Sequence, residues 1–308
     1  MTSPVSTGVS YTPTVIASQL VSYLNADQSQ QATLETQLSS GNLVNQPSDN
    51  PAAASTILAA NSSLSRAQEY SSNASDASAW LSLGTSTLNS VISALQSAQQ
   101  SVMALSGNAL SNSQAAVQGT AATLQSVLSQ VTALANTTYG NQAIFAGTGN
   151  VSVAYDASGN YVGGGSAPTR TVGPGVSVAI AATGPAVFGS GSSGLLGSTG
   201  ILSKLISDVT AGTPASIATA TTTDVAALNS AIQNVTSQAG VLGATYQSVQ
   251  TFAAQATNVQ TALQTQMSAV DSVNIAQATT ALTQSQNTYQ AGLWATAQIE
   301  QHSLVTYL

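Results

Sequence analysis

Charged side chains are scarce in this sequence of 308 residues, and cysteine is absent. Charged residues make up 4% of the chain, against roughly 25% in an average soluble domain. The basic side chains are Arg66, Arg170 and Lys204. Three such distant cations cannot build a basic patch for nucleic acid or for an anionic membrane surface. The lack of cysteine excludes disulfides, Cys-ligated zinc and thiol catalysis.

Long apolar runs are missing too, and the N-terminus does not look like a leader. No stretch approaches the ~20 apolar residues that span a bilayer. Residues 1–7 contain neither a basic region nor an apolar core, so we expect no cleavable secretory signal. If the protein leaves the cell, we expect another export route to carry it.

Groups that could perform catalysis are few and isolated. His302 is the only histidine, and Glu300, two residues away, would not face it on a helix. The ten Asp and Glu residues occur singly, without a local pair that could act as general acid and base. We therefore predict a chain that is not an enzyme, with no catalytic, cofactor-binding or metal-binding residues.

One segment matches a dinucleotide-binding pattern. Residues 189–194 read Gly-Ser-Gly-Ser-Ser-Gly, which fits G-x-G-x-x-G. The residues that follow continue as a loop, and Asp208 lies in a helical pattern rather than at the end of a strand. In so glycine-rich a segment, we interpret the match as chance.

The stretch from Val241 to Leu308 has the clearest helical pattern in the chain. No proline follows Pro214, and no charged residue lies between Asp224 and Asp271. Apolar residues recur at steps of three and four, which places them on one face of a helix. A narrow apolar face on a long helix needs a partner helix. The second half of the stretch presents Ile275, Ala278, Leu282, Tyr289 and Leu293, ending near Ile299.

The other end of the chain supplies the expected partner. The pattern predicts a helix from about Thr14 to Ser40. Its apolar face is poor, because Asp27 or Gln28 interrupts it. We predict that this helix and the C-terminal tail after Val270 are loose in an isolated subunit and ordered in an assembly. The face consists of Leu20, Leu24, Gln31, Leu34 and Leu38.

A proline motif follows the first helix. Gly41 is a natural helix stop, and Pro47 and Pro51 forbid a continuous helix. Asn50 can cap a new helix with Pro51 at its first position. Apolar residues then recur at helical spacing as far as Leu134. Gly107, Asn108 and Asn112 mark a predicted interruption.

Glycine becomes frequent from residue 147 to residue 200, where short β-type runs appear. Residues 151–155 and 161–162 flank a turn sequence and predict a hairpin, and residues 176–180 predict another strand. Helical patterns return at about Ile201, with a break at residues 212–214. The predicted fold is mainly α: an elongated helical bundle or coiled-coil rod formed by the two arms, with a small β-rich domain inserted in the middle.

Several motifs together resemble the bacterial flagellin superfamily, and within it the hook-associated proteins. The most specific is Pro-Ser-Asp-x-Pro at residues 47–51, preceded by Ser-Ser-Gly at residues 39–41. Flagellin itself usually has an acidic pair at this place. Residues 5–11 resemble a degenerate form of the family's start, and residues 134–148 resemble the end of its first helical arm. Residues 273–286 and the ending at residues 303–308 resemble its C-terminus.

The resemblance implies a layered subunit. Residues 1–45 and 265–308 would form an inner helical domain, residues 46–143 and 199–264 a rod-like helical domain, and residues 144–198 an outer β-rich insert. It also implies a structural role outside the cell, as the adaptor that joins the flagellar hook to the filament. The implied partners are a ring of further copies, the first hook-associated protein, flagellin, a cytosolic export chaperone and the flagellar type III export apparatus.

The two arms and the proline motif are the predicted assembly interface. Partner helices would have to cover both apolar faces at once for the ends to become ordered. The candidate residues are Leu20, Leu24, Leu34, Leu38, Pro47, Ser48, Asp49, Pro51, Ile275, Leu282, Tyr289, Leu293, Ile299, Leu304 and Leu308.

Two other functions are compatible with the sequence. The chain could be a flagellin or another filament-forming subunit, which shares the helical arms. From a different class, the β insert could be an extracellular glycan-binding or glycan-modifying module. Converging acids within residues 144–198 would favour the module.

Overall fold

The computed structural model describes residues 13–106, 113–149 and 151–305. Long helices from the two ends of the chain dominate the fold. The two long helices of the first half are α1 (Pro13–Ser40) and α2 (Pro51–Ser106), followed by α3 (Gln114–Ala135). The second half contains α4 (Gly184–Phe188), α5 (Ile201–Ala211), α6 (Pro214–Thr219), α7 (Val225–Asp271) and α8 (Ile275–Val305). None of the helices within the described ranges is long and apolar enough to cross a membrane.

The strands are short and form two separate antiparallel pairs. Strand β1 (Thr138–Tyr139) pairs with β2 (Gln142–Ala143), and β3 (Thr169–Gly173) pairs with β4 (Val176–Ala179). The mainly helical fold with a small strand region in the middle is therefore confirmed.

The hairpin predicted at residues 151–162 is wrong in its extent. Only Tyr155 and Tyr161 form a β-bridge there. The Asp156 carboxylate accepts the backbone N–H groups of Ser158 and Asn160 at 2.9 and 2.8 Å. It thus holds a compact turn, beyond which the flanking runs do not continue as strands. The strand predicted at residues 176–180 is present as β4.

Local chemistry sets the helix ends. Gly41 adopts φ 76°, a left-handed conformation that ends α1. The side chain of Asn50 accepts the N–H of Ala53 at 3.1 Å and caps α2, whose first residue is Pro51. The interruption predicted at Gly107, Asn108 and Asn112 lies outside the described residues; α2 ends just before it and α3 begins just after it.

The chain forms two compact units. One contains Met1–Ser65 and Thr261–Leu308, and the other contains Arg66–Gln260. The five-part division given above stays a prediction.

The unit Arg66–Gln260, here called the middle unit, holds the larger core. Its buried aliphatic side chains come from α2, α3, α5 and α7 at helical spacing, so each helix contributes one apolar face. Side chains with no or almost no exposure include Leu81, Leu88, Leu95, Leu124, Val131, Leu202, Leu205, Leu228, Val235 and Val249.

Aromatic residues hold the insert of the middle unit. Phe145 and Phe188 meet edge to face with ring centroids 5.3 Å apart, and Tyr155 contacts Phe188 in the same way at 5.6 Å. Arg170 on β3 donates to Asp76 on α2 at 2.9 Å. Most of the insert is loop, because its glycines adopt turn conformations that strands do not accept.

The G-x-G-x-x-G match is confirmed as a loop feature. Helix α4 precedes it rather than a strand, and Gly191–Ser193 forms a single turn of 3₁₀ helix. The segment lacks the strand, loop and helix arrangement on which dinucleotide binding depends.

Candidate assembly interface

Helix α1 presents a stripe of half-buried residues to α8. Leu20, Leu24, Leu34 and Leu38 are half-buried, as are Asp27 and Gln31 between them. The steps alternate between three and four residues, which is the heptad spacing of a coiled-coil face. None of these side chains is fully buried, so the apolar face contributes less than the ~1.5–3 kcal/mol of a fully buried leucine at each site.

The matching face of α8 is made of small residues. Ala278 and Ser285 are buried, and Gly292 continues the series at the same spacing of seven residues. A Cβ at Gly292 would lie 2.8 Å from Leu24 Cδ2, so the two helices approach closely at this level. Leu282 and Tyr289 are half-buried beside this series. Small side chains therefore set the distance between α1 and α8.

Helices α1 and α8 are here called the terminal pair, and a polar layer interrupts the contact between them. The Ser285 hydroxyl donates to the Asp27 carboxylate at 3.3 Å. One turn away, the side-chain Nε2 of Gln31 is buried and has no hydrogen-bond partner among the described residues. No Lys or Arg occurs in Met1–Ser65 or Thr261–Leu308, so Asp27 has no such cation within this unit. Burying a carboxylate without a cation weakens the pair.

Backbone bonds join the two helix breaks of this unit. Asn42 and Ser272 form an antiparallel bridge, in which Val273 N–H donates to Gly41 O at 3.1 Å. The Asp271 carboxylate accepts the N–H of Val44 at 3.1 Å. The end of α1 and the start of α8 are thereby held together.

The proline motif forms an exposed, self-bonded turn. Pro47, Ser48, Asp49 and Pro51 are all exposed. The Asp49 carboxylate accepts the N–H groups of residues 45 and 46 at 3.0 and 2.8 Å. Asp49 thus shapes the turn, while the prolines leave their rings available to a partner.

Other predicted residues lie on a different face from the one expected. Ile275 is 63% exposed and Leu293 is 44% exposed, so neither packs into the apolar face with Ala278. Ile299 and Leu304 lie in α8, where their side chains are outside the described set, and Leu308 lies outside the described residues. The assignment of all these residues to an assembly interface stays a prediction.

The outer surface of the terminal pair carries large apolar side chains that are not among the predicted interface residues. Trp294 is 79% exposed and Tyr23 is 71% exposed. Val15, Ile16 and Val21 on α1 are exposed as well. Exposed apolar side chains mark interaction sites where they form a contiguous patch.

Two grooves of the middle unit are lined by neutral side chains. An open groove of about 590 Å³ between α2 and α7 is lined mainly by hydroxyl and amide side chains, including Ser86, Asn89 and Gln247. A second, of about 460 Å³, is lined by α3, the turn at residues 157–159 and Ser203. Within the described ranges, no three His, Cys, Asp or Glu side chains could together hold a metal ion.

Two protein-family models match the helical arms of the chain. The model of the bacterial flagellin N-terminal helical region matches residues 13–150, and that of the bacterial flagellin C-terminal helical region matches residues 225–308. Together they cover more than two thirds of the chain.

Two curated relatives are similar over part of their length. The chain is 32% identical over 174 residues to flagellar hook-associated protein 3 of Salmonella typhimurium, an alignment that covers 56% of this chain and 54% of that protein. It is 33% identical over 156 residues to flagellar hook-associated protein 3 of Escherichia coli, covering 50% and 49%. The chain spans about half the length of these relatives.

Solved structures share the fold. A flagellar hook-associated protein from Vibrio parahaemolyticus superposes with a TM-score of 0.63 at 20% identity, covering 72% of this chain and 99% of that one. FlgL of Bacillus cereus superposes with a TM-score of 0.55 at 18% identity, covering 68% and 99%.

Proposed function

Because the chain belongs to the bacterial flagellin family, we propose that it is a structural subunit of the flagellum, the adaptor that joins the hook to the filament. The terminal helix pair is the part that assembles. Packing surfaces alone can perform this task, so a subunit of this kind requires no catalytic residue.

The exposed apolar side chains of the terminal pair are the observation that carries this proposal. Helices α1 and α8 meet through half-buried leucines and small residues, while Trp294, Tyr23 and Ile275 face outward. A monomer gains nothing from exposing such side chains to water. Neighbouring subunits that cover them would order both helices at the same time.

The relatives favour a junction role over a filament role. Both curated relatives are named as hook-associated proteins, and the exposed proline turn at residues 46–51 belongs to the motif that resembles that group. We propose that further copies of the chain form a ring and that the first hook-associated protein and flagellin lie on its two sides. We further propose that the chain is exported through the flagellar type III apparatus with the help of a cytosolic chaperone.

A deletion strain tests the adaptor role. We expect hooks without filaments, with flagellin shed into the medium, and recovery of filaments when the full chain is supplied. The control is complementation with a chain whose residues 169–179 are replaced by a short glycine-serine linker, which should leave assembly largely intact. Electron microscopy and assay of flagellin in the medium give the readout.

A filament-forming subunit is the second candidate, because both matching family models are those of flagellin. Its deletion would remove the filament without shedding any flagellin, and that outcome would overturn the adaptor role. The glycan module has less support. Asp156 is the only acid in residues 144–198, and its carboxylate already accepts backbone N–H groups.

A further inference from the structure

Charged side chains converge at one corner of the middle unit. Lys204 and Asp208 lie on α5, and Asp224 is the last residue of a π-helical turn, Ala220–Asp224, that leads into α7. The Nζ atom of Lys204 is 2.6 Å from Asp224 Oδ1 and 3.9 Å from Asp208 Oδ2. Such a convergence is notable in a chain with so few charges, and π-turns often mark functional positions.

The Asp224 carboxylate is buried but incompletely bonded. The residue is 2% exposed. Its Oδ1 accepts from Lys204, whereas its Oδ2 is buried and has no partner among the described residues. A buried carboxylate oxygen without a donor is costly. A proton donor placed at this oxygen would remove the cost.

Asp208 is the group that can supply that donor. Lys204 Nζ reaches a carboxylate oxygen of each acid, so Asp208 is the carboxyl group that lies beside Asp224 at this corner. It can donate a hydrogen bond to Asp224 only when it is protonated. Burial raises the pKa of Asp208, the neighbouring Asp224 raises it further, and Lys204 opposes the rise.

The helices that pack against α5 bring no further charge to this corner. They are α3 and α6, and neither contains a charged residue. After Asp224, the next charged residue along α7 is Asp271. One lysine therefore faces two carboxyl groups, which leaves the cluster with a net charge of −1 when both are ionised.

We propose that Asp208 and Asp224 share one proton, which Asp208 holds and donates to the buried Oδ2 of Asp224, and that this proton strengthens the α5–α7 corner in acidic surroundings. The proton comes from solvent and binds the Asp208 carboxylate. The net charge of the cluster thereby rises from −1 to zero, while Lys204 keeps its bond to Oδ1. The proposal is independent of the adaptor role.

The direction of the pH effect follows from linkage. Asp208 binds its proton more tightly in the folded chain than in the unfolded chain. The stability from this proton is fully present below the unfolded pKa of about 3.9, and it is lost as the pH rises through the raised pKa of Asp208.

Asp208→Asn tests the proposal in the full chain, because the asparagine amide is a permanent donor at the same place. Melting temperatures would be measured at several pH values from 4.5 to 7.5. The wild type should lose about 2–4 °C relative to the variant as the pH rises. Asp156→Asn is the control: hydrogen bonds, above all from the backbone N–H of Asn160, hold the pKa of that exposed carboxyl group below its ordinary value, so the difference in melting temperature between this variant and wild type should stay constant over this range.

If the melting temperatures of wild type and Asp208→Asn change with pH by the same amount, the proposal is overturned. If the variant does not fold, carbon-13 NMR titration of the wild type replaces it. A carboxyl signal of Asp208 that titrates clearly above pH 4 supports the shared proton, and titration at or below the ordinary value overturns it.

Discussion

The hydroxyl of Ser285 donates a hydrogen bond to the carboxylate of Asp27 across the terminal helix pair, although 258 positions separate the two residues in the chain. This bond lies where an apolar coiled-coil face would place a leucine or valine. A polar layer at such a position specifies which residues face each other and lowers the stability of the pair. The layer suits a subunit whose ends become firmly ordered only on assembly.

Asp27→Leu should therefore stabilise the terminal pair in the isolated subunit. The change removes a half-buried carboxylate that has no Lys or Arg in its unit, and we expect a gain of about 1 kcal/mol. Amide exchange on α1 should slow accordingly. Glu35→Leu, at an exposed position of the same helix, is the matched control and should leave exchange unchanged. Faster exchange in Asp27→Leu would contradict this account of the polar layer.

Gly292→Leu should separate the terminal helices. A leucine there would meet Leu24, since even a Cβ would lie 2.8 Å from its Cδ2. Gly240→Leu on α7 is the control, because a Cβ at Gly240 meets nothing within 4 Å. The control should gain about 0.5–1 kcal/mol of helix stability. Urea unfolding followed by circular dichroism measures both, and equal gains in the two variants would show that α1 and α8 do not pack closely here.

Trp294→Ser should weaken assembly and leave the monomer folded. The side chain is exposed, so its loss should change monomer stability by no more than about 0.5 kcal/mol. Incorporation into flagella should fall at least tenfold, as for a buried aromatic anchor at an interface. Leu282→Ser alters a half-buried side chain between the helices and should lower both the stability of the monomer and its incorporation into flagella. Normal incorporation of Trp294→Ser would remove this residue from the interface.

Asp271→Ala should loosen the link between the two helix breaks. The variant removes the acceptor of the Val44 N–H, at a cost of about 1.5–3 kcal/mol for a bond to a charged group. Asp271→Asn keeps an oxygen at the same position and should restore most of the loss. The exchange rate of the Val44 amide reports on this bond directly. If alanine and asparagine behave alike, the carboxylate is not what holds residue 44.

The ends of the elements were predictable because single residues determine them. Gly41 supplies the left-handed conformation that ends α1, and Asn50 with Pro51 starts α2. Each signal acts within one helical turn, so it does not depend on tertiary contacts. The same local chemistry identified the loop character of residues 189–194.

The orientation of α8 was not predictable from apolar residues alone. Ile275 and Leu293 lie at helical spacing with Leu282, yet both are exposed. The face toward α1 is set by Ala278, Ser285 and Gly292, because small side chains allow the closest approach of two helices. Their repeat of seven residues is the signal in the sequence that would have identified this face.

The extent of the hairpin at residues 151–162 was predicted wrongly for a different reason. Alternating apolar residues and a turn sequence favour strands, but strands need backbone partners over several residues. Asn136 takes the N–H groups of Ala154 and Tyr155, both at 2.8 Å. A side chain from the end of α3 thus takes N–H groups that a longer ladder would use, and the backbone pairing stays confined to residues 154–162. Such a long-range bond leaves no local signal.

Amide hydrogen exchange followed by mass spectrometry, on the monodisperse full chain and on the same chain in flagella, would show whether the terminal helices become ordered only on assembly. We expect α1 and α8 to exchange rapidly in the monomer, while the buried parts of α2, α3 and α7 stay protected. After assembly, α1 and α8 should be protected as well. Strong protection of both terminal helices in the monomer would show that they are already ordered without neighbours.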